Sequence, residues 1–343
     1  MELSNKIRFS VVGCGHIGKR HAAVIEKNVE SELMALCDTT DKESLNLEGY
    51  KIPFYSSMDE LLQSETALDV VCIATPNGLH EEQALKALKA GYHVLIEKPM
   101  ALTKAGCERI IFEALNRHRQ VFCVMQNRYS PPAVWLKEVL TEKILGDIFI
   151  VQVNCYWNRD ERYYTGKTWH GSKQLDGGTL FTQFSHFVDM LFWLFGDISN
   201  INAKLHNFNH AGLTDFEDSG YIHFDFLNGG TGCLNYSTAV WEENLESSIT
   251  IIAQNGTIKV GGQYMNEVQL CNIRGYTMPE LAPANPPNDY GAYKGSAANH
   301  HFIFDNVVDV LKERASITTN ALEGMKVVEI IERIYQSGKS TIN

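Results

Sequence analysis

The 343-residue chain lacks any uncharged apolar stretch long enough to cross a bilayer. Its opening, MELSNKIRFSVVG, carries no long apolar run ahead of a cleavage site, so no secretory signal is expected either. Runs of lysine and arginine are also missing, and the formal net charge is −11. Such a surface repels nucleic-acid phosphates, which removes DNA and RNA from the expected partners, and the missing spanning segment removes the membrane. No CxxC pair or metal-ligand spacing links the eight cysteines at 14, 37, 72, 107, 123, 155, 233 and 271. Several lie in apolar runs, as Cys72 does in VVCIA, which suits free buried thiols in a reducing compartment. The expected location is cytoplasmic. No metal is expected: His300 and His301 are adjacent and diverge on a helix, and His206 and His210 flank a loop without a third ligand.

What is present is an ordinary globular balance, 44% hydrophobic and 21% charged, at a length that suggests two domains. The first third alternates strand and helix patterns. Strands are expected at Arg8–Val12, Leu33–Cys37, Leu68–Ala74, Val94–Ile96 and Val121–Met125, with helices from Gly15 to about Lys27, over Glu81–Ala90 and over Thr103–Arg117. This rhythm implies a parallel sheet with right-handed crossovers, over residues 1–125. Residues 126–343 read as a second, α+β domain with a largely antiparallel open sheet. A helix over Ala133–Glu142 precedes β-rich segments at Ile148–Trp157, Gly220–Phe226, Gly232–Thr238 and Ser248–Gln254, the last leading into NGTIKV. An open sheet face often becomes a subunit interface. Helical patterns at Asn299–Lys312 and Leu322–Gln336 close the chain, after a long loop from Asn272 to Ser296.

Gly13-Cys14-Gly15-His16-Ile17-Gly18 is a GxGxxG motif between a strand and a helix. Gly13 permits the tight turn, Gly15 lets a pyrophosphate approach the backbone, and Gly18 lets helix and strand pack closely. The helix N-terminus then offers free N–H groups to the phosphates. Asp38 follows Gly18 by twenty residues, where a carboxylate accepts hydrogen bonds from the ribose hydroxyls. Its charge opposes a 2′-phosphate, and Thr39 and Thr40 supply no arginine, so NAD is expected over NADP. Ala74-Thr75-Pro76-Asn77 ends the third strand, where ligands bind in open α/β sheets.

Two residues point to redox chemistry on an alcohol. Pro99 holds Lys98 extended at the end of the fourth strand, where an ammonium can stabilise a developing alkoxide. After Gly177-Gly178 an apolar helix pattern places Thr182, His186 and Asp189 on one face, and His186 is suited to accept the hydroxyl proton. From spacing alone Lys98 reads better as a surface lysine paired with Glu97, and His186 reads equally well as a core histidine satisfied by Asp189.

The combination GCGHIG at 13–18, ATPN at 74–77, EKP at 97–99 and the GG…H..D segment from Gly177 to Asp189 resembles the glucose–fructose oxidoreductase / inositol dehydrogenase (Gfo/Idh/MocA) family along essentially the whole chain. The resemblance implies an NAD(P)-dependent dehydrogenase acting on CH–OH groups of sugars or cyclitols, assembled as a homodimer or homotetramer through the C-terminal sheet. It puts the catalytic pair on Lys98 and His186. It puts the cofactor on Gly13, Gly15, His16, Ile17, Gly18, Asp38, Thr39, Thr75, Pro76, Asn77, His80, Glu97, Lys98, Gln126 and Trp169. The family's aspartate, four residues before the histidine, falls on Thr182, a departure that puts a carboxylate-assisted relay in question. QNRYSPP at 126–132, YWNR at 156–159, Tyr163-Tyr164 and YKGSAANH at 293–300 are similar, more narrowly, to UDP-N-acetylglucosaminuronate 3-dehydrogenases of surface-polysaccharide biosynthesis. That likeness implies oxidation at C3 of a nucleotide sugar, with a partner aminotransferase acting later. The substrate then falls on Lys98, Arg128, Tyr156, Arg159, Tyr163, Thr182, Gln183 and His186. Arginines 128, 159 and 162 suit a carboxylate or diphosphate, and Tyr156, Tyr163 and Trp169 offer flat faces to sugar or base. A dehydrogenase of a free sugar, inositol or glycoside, and a catalytically silent NAD-binding sensor, are the competing readings.

Overall fold

A computed structural model describes residues 6–65, 67–166, 169–291 and 293–339. The chain divides into two compact units, one of residues 1–125 with 300–328, the other of residues 126–299 with 329–343.

The first unit is a doubly wound sheet. In chain order it contains β1 (Ile7–Val12), α1 (His16–Lys27), β2 (Ser31–Cys37), β3 (Phe54–Tyr55), α2 (Met58–Ser64), β4 (Val70–Ile73), α3 (His80–Lys89), β5 (His93–Ile96), α4 (Lys104–Arg117) and β6 (Val121–Cys123). All strands run parallel in the order β3-β2-β1-β4-β5-β6. Strand β4, VVCI, is buried at every position, as a strand covered on both faces must be. Local chemistry sets the helix ends. The Thr103 hydroxyl accepts from the Gly106 N–H to open α4, and His118 closes it in the left-handed region at φ 52°. The strand order reverses between β1 and β4, and there the crevice for a ligand lies beyond the carboxyl ends.

The second unit contains α5 (Pro131–Thr141), β7 (Ile148–Tyr156), α6 (Glu161–Tyr164), α7 (Thr179–Thr182), α8 (Ser185–Phe195), β8 (Ile198–His206), β9 (Ser219–Phe226), β10 (Thr231–Ser237), β11 (Glu246–Ala253), β12 (Gly256–Gly261), β13 (Glu267–Ile273), β14 (Pro287–Asp289) and β15 (Lys294–Ala297). Seven strands form a sheet in the order β13-β12-β11-β7-β10-β9-β8. Its pairs are antiparallel except β7 with β10, which run parallel in the middle. Val151, Val153, Ile222, Leu234, Tyr236 and Ile251 face the core, and α8 covers that face through Phe184 and Phe187, which pack on Trp157. The other face is open.

Three expectations change. The boundary after Met125 was expected to leave 126–343 together, yet α9 (His300–Leu311) returns to the first unit because its apolar face needs a core there. Phe304 packs on Phe9 and His21, and Glu30 pairs with Lys312 and Arg314. Helix α10 (Ala321–Lys339) gives its residues up to Val328 to the first unit and the rest to the second. The helix expected after Gly178 is two helices broken at Gln183 and Phe184, so Thr182 and His186 do not share one helix. The long loop also contains the β14–β15 hairpin.

Glu217, before β9, is a buried carboxyl that accepts from the hydroxyls of Tyr236 and Tyr335, each at 2.7 Å. Burial pushes it up to about 7, against those two hydrogen bonds. Its ordinary value is 4.5, so between there and about 7 the native state holds a proton that the unfolded chain has lost, and stability falls as pH rises. Glu217→Gln keeps an acceptor without the charge. Urea unfolding at about pH 5 and about pH 8 should show a smaller decline in the variant than in the wild type, and a more stable variant at the higher pH. Equal slopes in the two proteins would show that this carboxyl does not govern the dependence.

Candidate active site

The glycine turn is built for a dinucleotide. Gly13 has φ +88°, and a Cβ there would lie 2.6 Å from the Ala74 carbonyl oxygen, so β1 and β4 approach too closely for any side chain. A Cβ on Gly15 would meet nothing within 4 Å: the space is open where a pyrophosphate would approach. A Cβ on Gly18 would run into the Gly13 carbonyl. No side chain caps α1, whose N-cap is Gly15, so its first N–H groups face outward beside His16 and Ile17. Asp38 accepts from the Cys14 N–H at 2.6 Å and the Thr40 N–H at 2.8 Å, which aims its carboxylate along the rim beside exposed Thr39. These residues fit NAD: an open anion cradle ends at a carboxylate suited to a ribose diol.

The loops at the other strand ends are braced from inside. The His80 ring lies between the carbonyls of Thr75, at 2.9 Å, and Pro99, at 2.7 Å. His80 is fully buried, and burial lowers its pKa. Both nitrogens face backbone carbonyls, and the neutral ring, with one N–H, donates to one of them at a time. Thr75 donates to Gln83 Oε1 at 2.6 Å, while Pro76 and buried Asn77 turn the chain into α3.

Glu97 also turns inward. Its Oε1 lies 2.9 Å from His21 Nε2 and 3.5 Å from His300 Nε2, and Oε2 accepts from the Lys98 N–H at 3.2 Å. Burial pushes the carboxyl up, but the contacts with His21 and His300 outweigh that and hold it well below the usual range. Burial lowers His300 toward the neutral ring, which can still donate. The alternative pairing of Lys98 with Glu97 through side chains is therefore not the use of this carboxylate; Lys98 follows it, half-buried, at the end of β5. His21, Glu97 and His300 are close enough to be read as metal ligands, a cluster that neighbour spacing in the sequence did not reveal. The trio braces α1 and α9 against the end of β5 chiefly through the 2.9 Å His21 contact, since His300 Nε2 at 3.5 Å makes no close hydrogen bond and both Nδ1 atoms lack a partner.

In the second unit His186 and Asp189 on α8 both meet the 3₁₀ turn Gln126–Tyr129. The Gln126 side-chain N–H₂ lies 3.3 Å from His186 Nε2. The Gln126 side-chain amide can donate to this ring nitrogen or, turned over, accept from it, according to the tautomer of the ring. Asp189 does not satisfy His186. It forms a bidentate pair with Arg128, at 2.9 and 2.5 Å, with both side chains 1% exposed. Arg128 is thus consumed internally and is not available to a substrate anion, contrary to expectation. Arg162 is spent on Asp160 at 2.7 Å.

Arg159 differs. It is buried, and it donates to Gln183 Oε1 at 2.8 Å, Asn244 Oδ1 at 3.1 Å and the carbonyls of Asn158 and Lys294. The rings of Trp157, Tyr163 and Tyr293 surround it at 4.8 to 5.4 Å. None of its partners among the described residues is a carboxylate. Gln183 also donates to the Tyr163 hydroxyl at 2.8 Å, which ties two expected substrate residues together. Trp169 packs on His170, and His170 stacks on Tyr163. Tyr156 does not join this group: it stands on the open face of the sheet, opposite Ser237 and Glu246, because the alternation along β7 sends Trp157 inward in its place.

A family model described as an NAD-binding Rossmann-fold oxidoreductase of the GFO/IDH/MocA type matches residues 7–125, and the C-terminal-domain model of the same family matches residues 134–259. The chain belongs to the GFO/IDH/MocA oxidoreductase family. Solved relatives include the WlbA dehydrogenase from Chromobacterium violaceum, in complex with NADH and UDP-GlcNAcA: 31% identical, TM-score 0.86, covering 98% of this chain and 94% of that one. The WlbA dehydrogenase from Bordetella pertussis, with the same two ligands, is 30% identical with TM-score 0.86 and 98% of both chains covered. A more distant relative is the 2,7-anhydro-N-acetylneuraminate hydratase of Escherichia coli, 26% identical over 75% of this chain and 72% of its own. The protein is an NAD-dependent oxidoreductase.

Sequence reasoning missed Trp157, Asn244 and the trio partners His21 and His300, because each acquires its neighbours from far along the chain. If Asp38 reads the ribose, Asp38→Ser should raise the NADP/NAD ratio of kcat/KM by roughly 10- to 100-fold, mainly through weaker NAD use. Steady-state kinetics with both cofactors measure this, and an unchanged ratio would remove Asp38 from that role.

Proposed function

We propose that this protein oxidises the C3 hydroxyl of an acidic nucleotide sugar of the UDP-N-acetylglucosaminuronate type, with NAD as oxidant. The observation that carries the reading is the buried Arg159 guanidinium with only neutral partners. A buried charge is costly without an opposite one, and four of its five N–H groups are used by amides and carbonyls. A substrate carboxylate or diphosphate completes it, and the Tyr163–Tyr293–Trp157 surround suits the flat faces of sugar and base. The two WlbA dehydrogenases, which bind UDP-GlcNAcA, support the same class.

When bound, NAD supplies the hydride acceptor. The chain's own part is to handle the hydroxyl proton and the charge on oxygen. His186, beside Gln126, takes the proton, and the Lys98 ammonium stabilises the oxygen as its negative charge develops. Gln183 and Tyr163 orient the sugar.

Assemblies through the open face of the seven-stranded sheet belong to the same reading. Ile150, Tyr221, Ile252 and Leu270 are exposed there, and Ile150 and Ile252 are cross-strand partners. Ile150→Glu with Ile252→Glu should reduce the molar mass measured by light scattering to that of a smaller species.

Formation of NADH followed with UDP-GlcNAcA, UDP-GlcNAc and myo-inositol tests the substrate. UDP-GlcNAcA should be oxidised at least roughly 10-fold faster, by kcat/KM, than the sugar lacking the carboxylate. Lys98→Ala and His186→Ala should lose turnover, while Arg159→Met should raise KM for UDP-GlcNAcA and leave NADH affinity alone. Preference for the polyol would overturn the reading.

A further inference from the structure

Thr182 stands where the family resemblance leads one to expect a carboxylate, and the structure returns a carboxylate to that place from another position. The Thr182 hydroxyl donates to Asp176 Oδ1, with the Asp176 carbonyl 3.1 Å from the same oxygen. The other carboxylate oxygen accepts from the Gly171 N–H at 2.8 Å, which fixes the carboxylate plane. Asp176 is 1% and Thr182 9% exposed. The groups that feel the Asp176 charge are Tyr163, Tyr164, Glu217 and Tyr335.

A threonine hydroxyl has one proton. Once that proton is given to a carboxylate, the oxygen presents only lone pairs to anything else. A charged acceptor holds the proton more strongly than a neutral one, so the hydroxyl does not readily rotate to donate elsewhere. We propose that Asp176 is a positioning residue of the active site: it orients Thr182 as a hydrogen-bond acceptor toward the sugar, which must offer a hydroxyl or amide N–H at that point. This rests on the proposed sugar substrate and on Thr182 as one of the contacts that the family resemblance implies for it. The pair sets a carboxylate and a hydroxyl where the resemblance leads one to expect a single aspartate, and no proton leaves Thr182. It therefore selects a donor on the substrate rather than relaying the reacting proton.

Four variants assayed with NAD and UDP-GlcNAcA test this: Asp176→Asn, Thr182→Ser, Thr182→Val and the double variant Asp176→Asn with Thr182→Val. If the wild-type protein does not oxidise UDP-GlcNAcA, the substrate reading fails, and the same four variants are compared on whichever of UDP-GlcNAc and myo-inositol the wild type oxidises faster. Asp176→Asn and Thr182→Val should each lower kcat/KM by roughly 10- to 100-fold with KM for NAD unchanged, and Thr182→Ser should stay near wild type. The double variant should be no worse than either single one, because the two act as a unit. The pH at which kcat/KM rises should not move in Asp176→Asn, since the reacting proton goes to His186. Additive losses in the double variant, full activity in Asp176→Asn, or a Thr182→Val enzyme as active as wild type would each overturn the proposal. Should Asp176→Asn fail to fold, Thr182→Val against Thr182→Ser decides alone.

Discussion

The Arg128–Asp189 pair shows the constraint on which the second unit depends: a charge removed from water must find its opposite. With both side chains 1% exposed, either alone would cost several kcal/mol. The pair therefore fixes the register of α8 against the Gln126–Tyr129 turn. His186 lies one turn before Asp189 on the same helix, so it is delivered to Gln126 by the same contact. Asn299 completes the turn by donating to the Gln126 carbonyl and the Ser130 hydroxyl. A structural ion pair thus places His186, the proposed base.

The same rule organises the first unit. Glu97, buried after β5, accepts from His21 of α1 and from the Lys98 N–H, with His300 of α9 3.5 Å away. His80 joins the loops after β4 and β5 by lying between their carbonyls. Polar side chains at the carboxyl edge of the parallel sheet are thus of two kinds. Those turned inward hold loops in place; the glycine turn and Asp38, turned outward, leave the helix end and carboxylate oxygens for a ligand. Arg159 breaks the rule in the second unit, and that is why the substrate argument rests on it.

The first unit was largely legible because its signals are local. The inner strands of the parallel sheet are short apolar runs, and some helix ends carry local signals, as with Thr103 before α4 and Gly91 after α3. In the second unit β8 and β13 were passed over although both alternate, since half-exposed strands carry weaker patterns than buried ones. The parallel pairing of β7 with β10 has no local signature at all. At the site, Lys98 and His186 were visible as motif members. The uses of the arginines were not: Arg128 and Arg159 look alike in sequence, and only the presence of Asp189 beside one and of aromatic rings around the other separates them.

By itself the sequence determined the dinucleotide turn and singled out Asp38, Lys98 and His186 as candidates, because these depend on spacing within one strand–turn–helix unit or on the chemistry of single side chains. Only the tertiary structure decided which buried charges neutralise each other, which polar groups are spent on bracing loops, and that Asp176 stands behind Thr182. Those outcomes depend on distances between residues far apart in the chain, and such distances are set by packing.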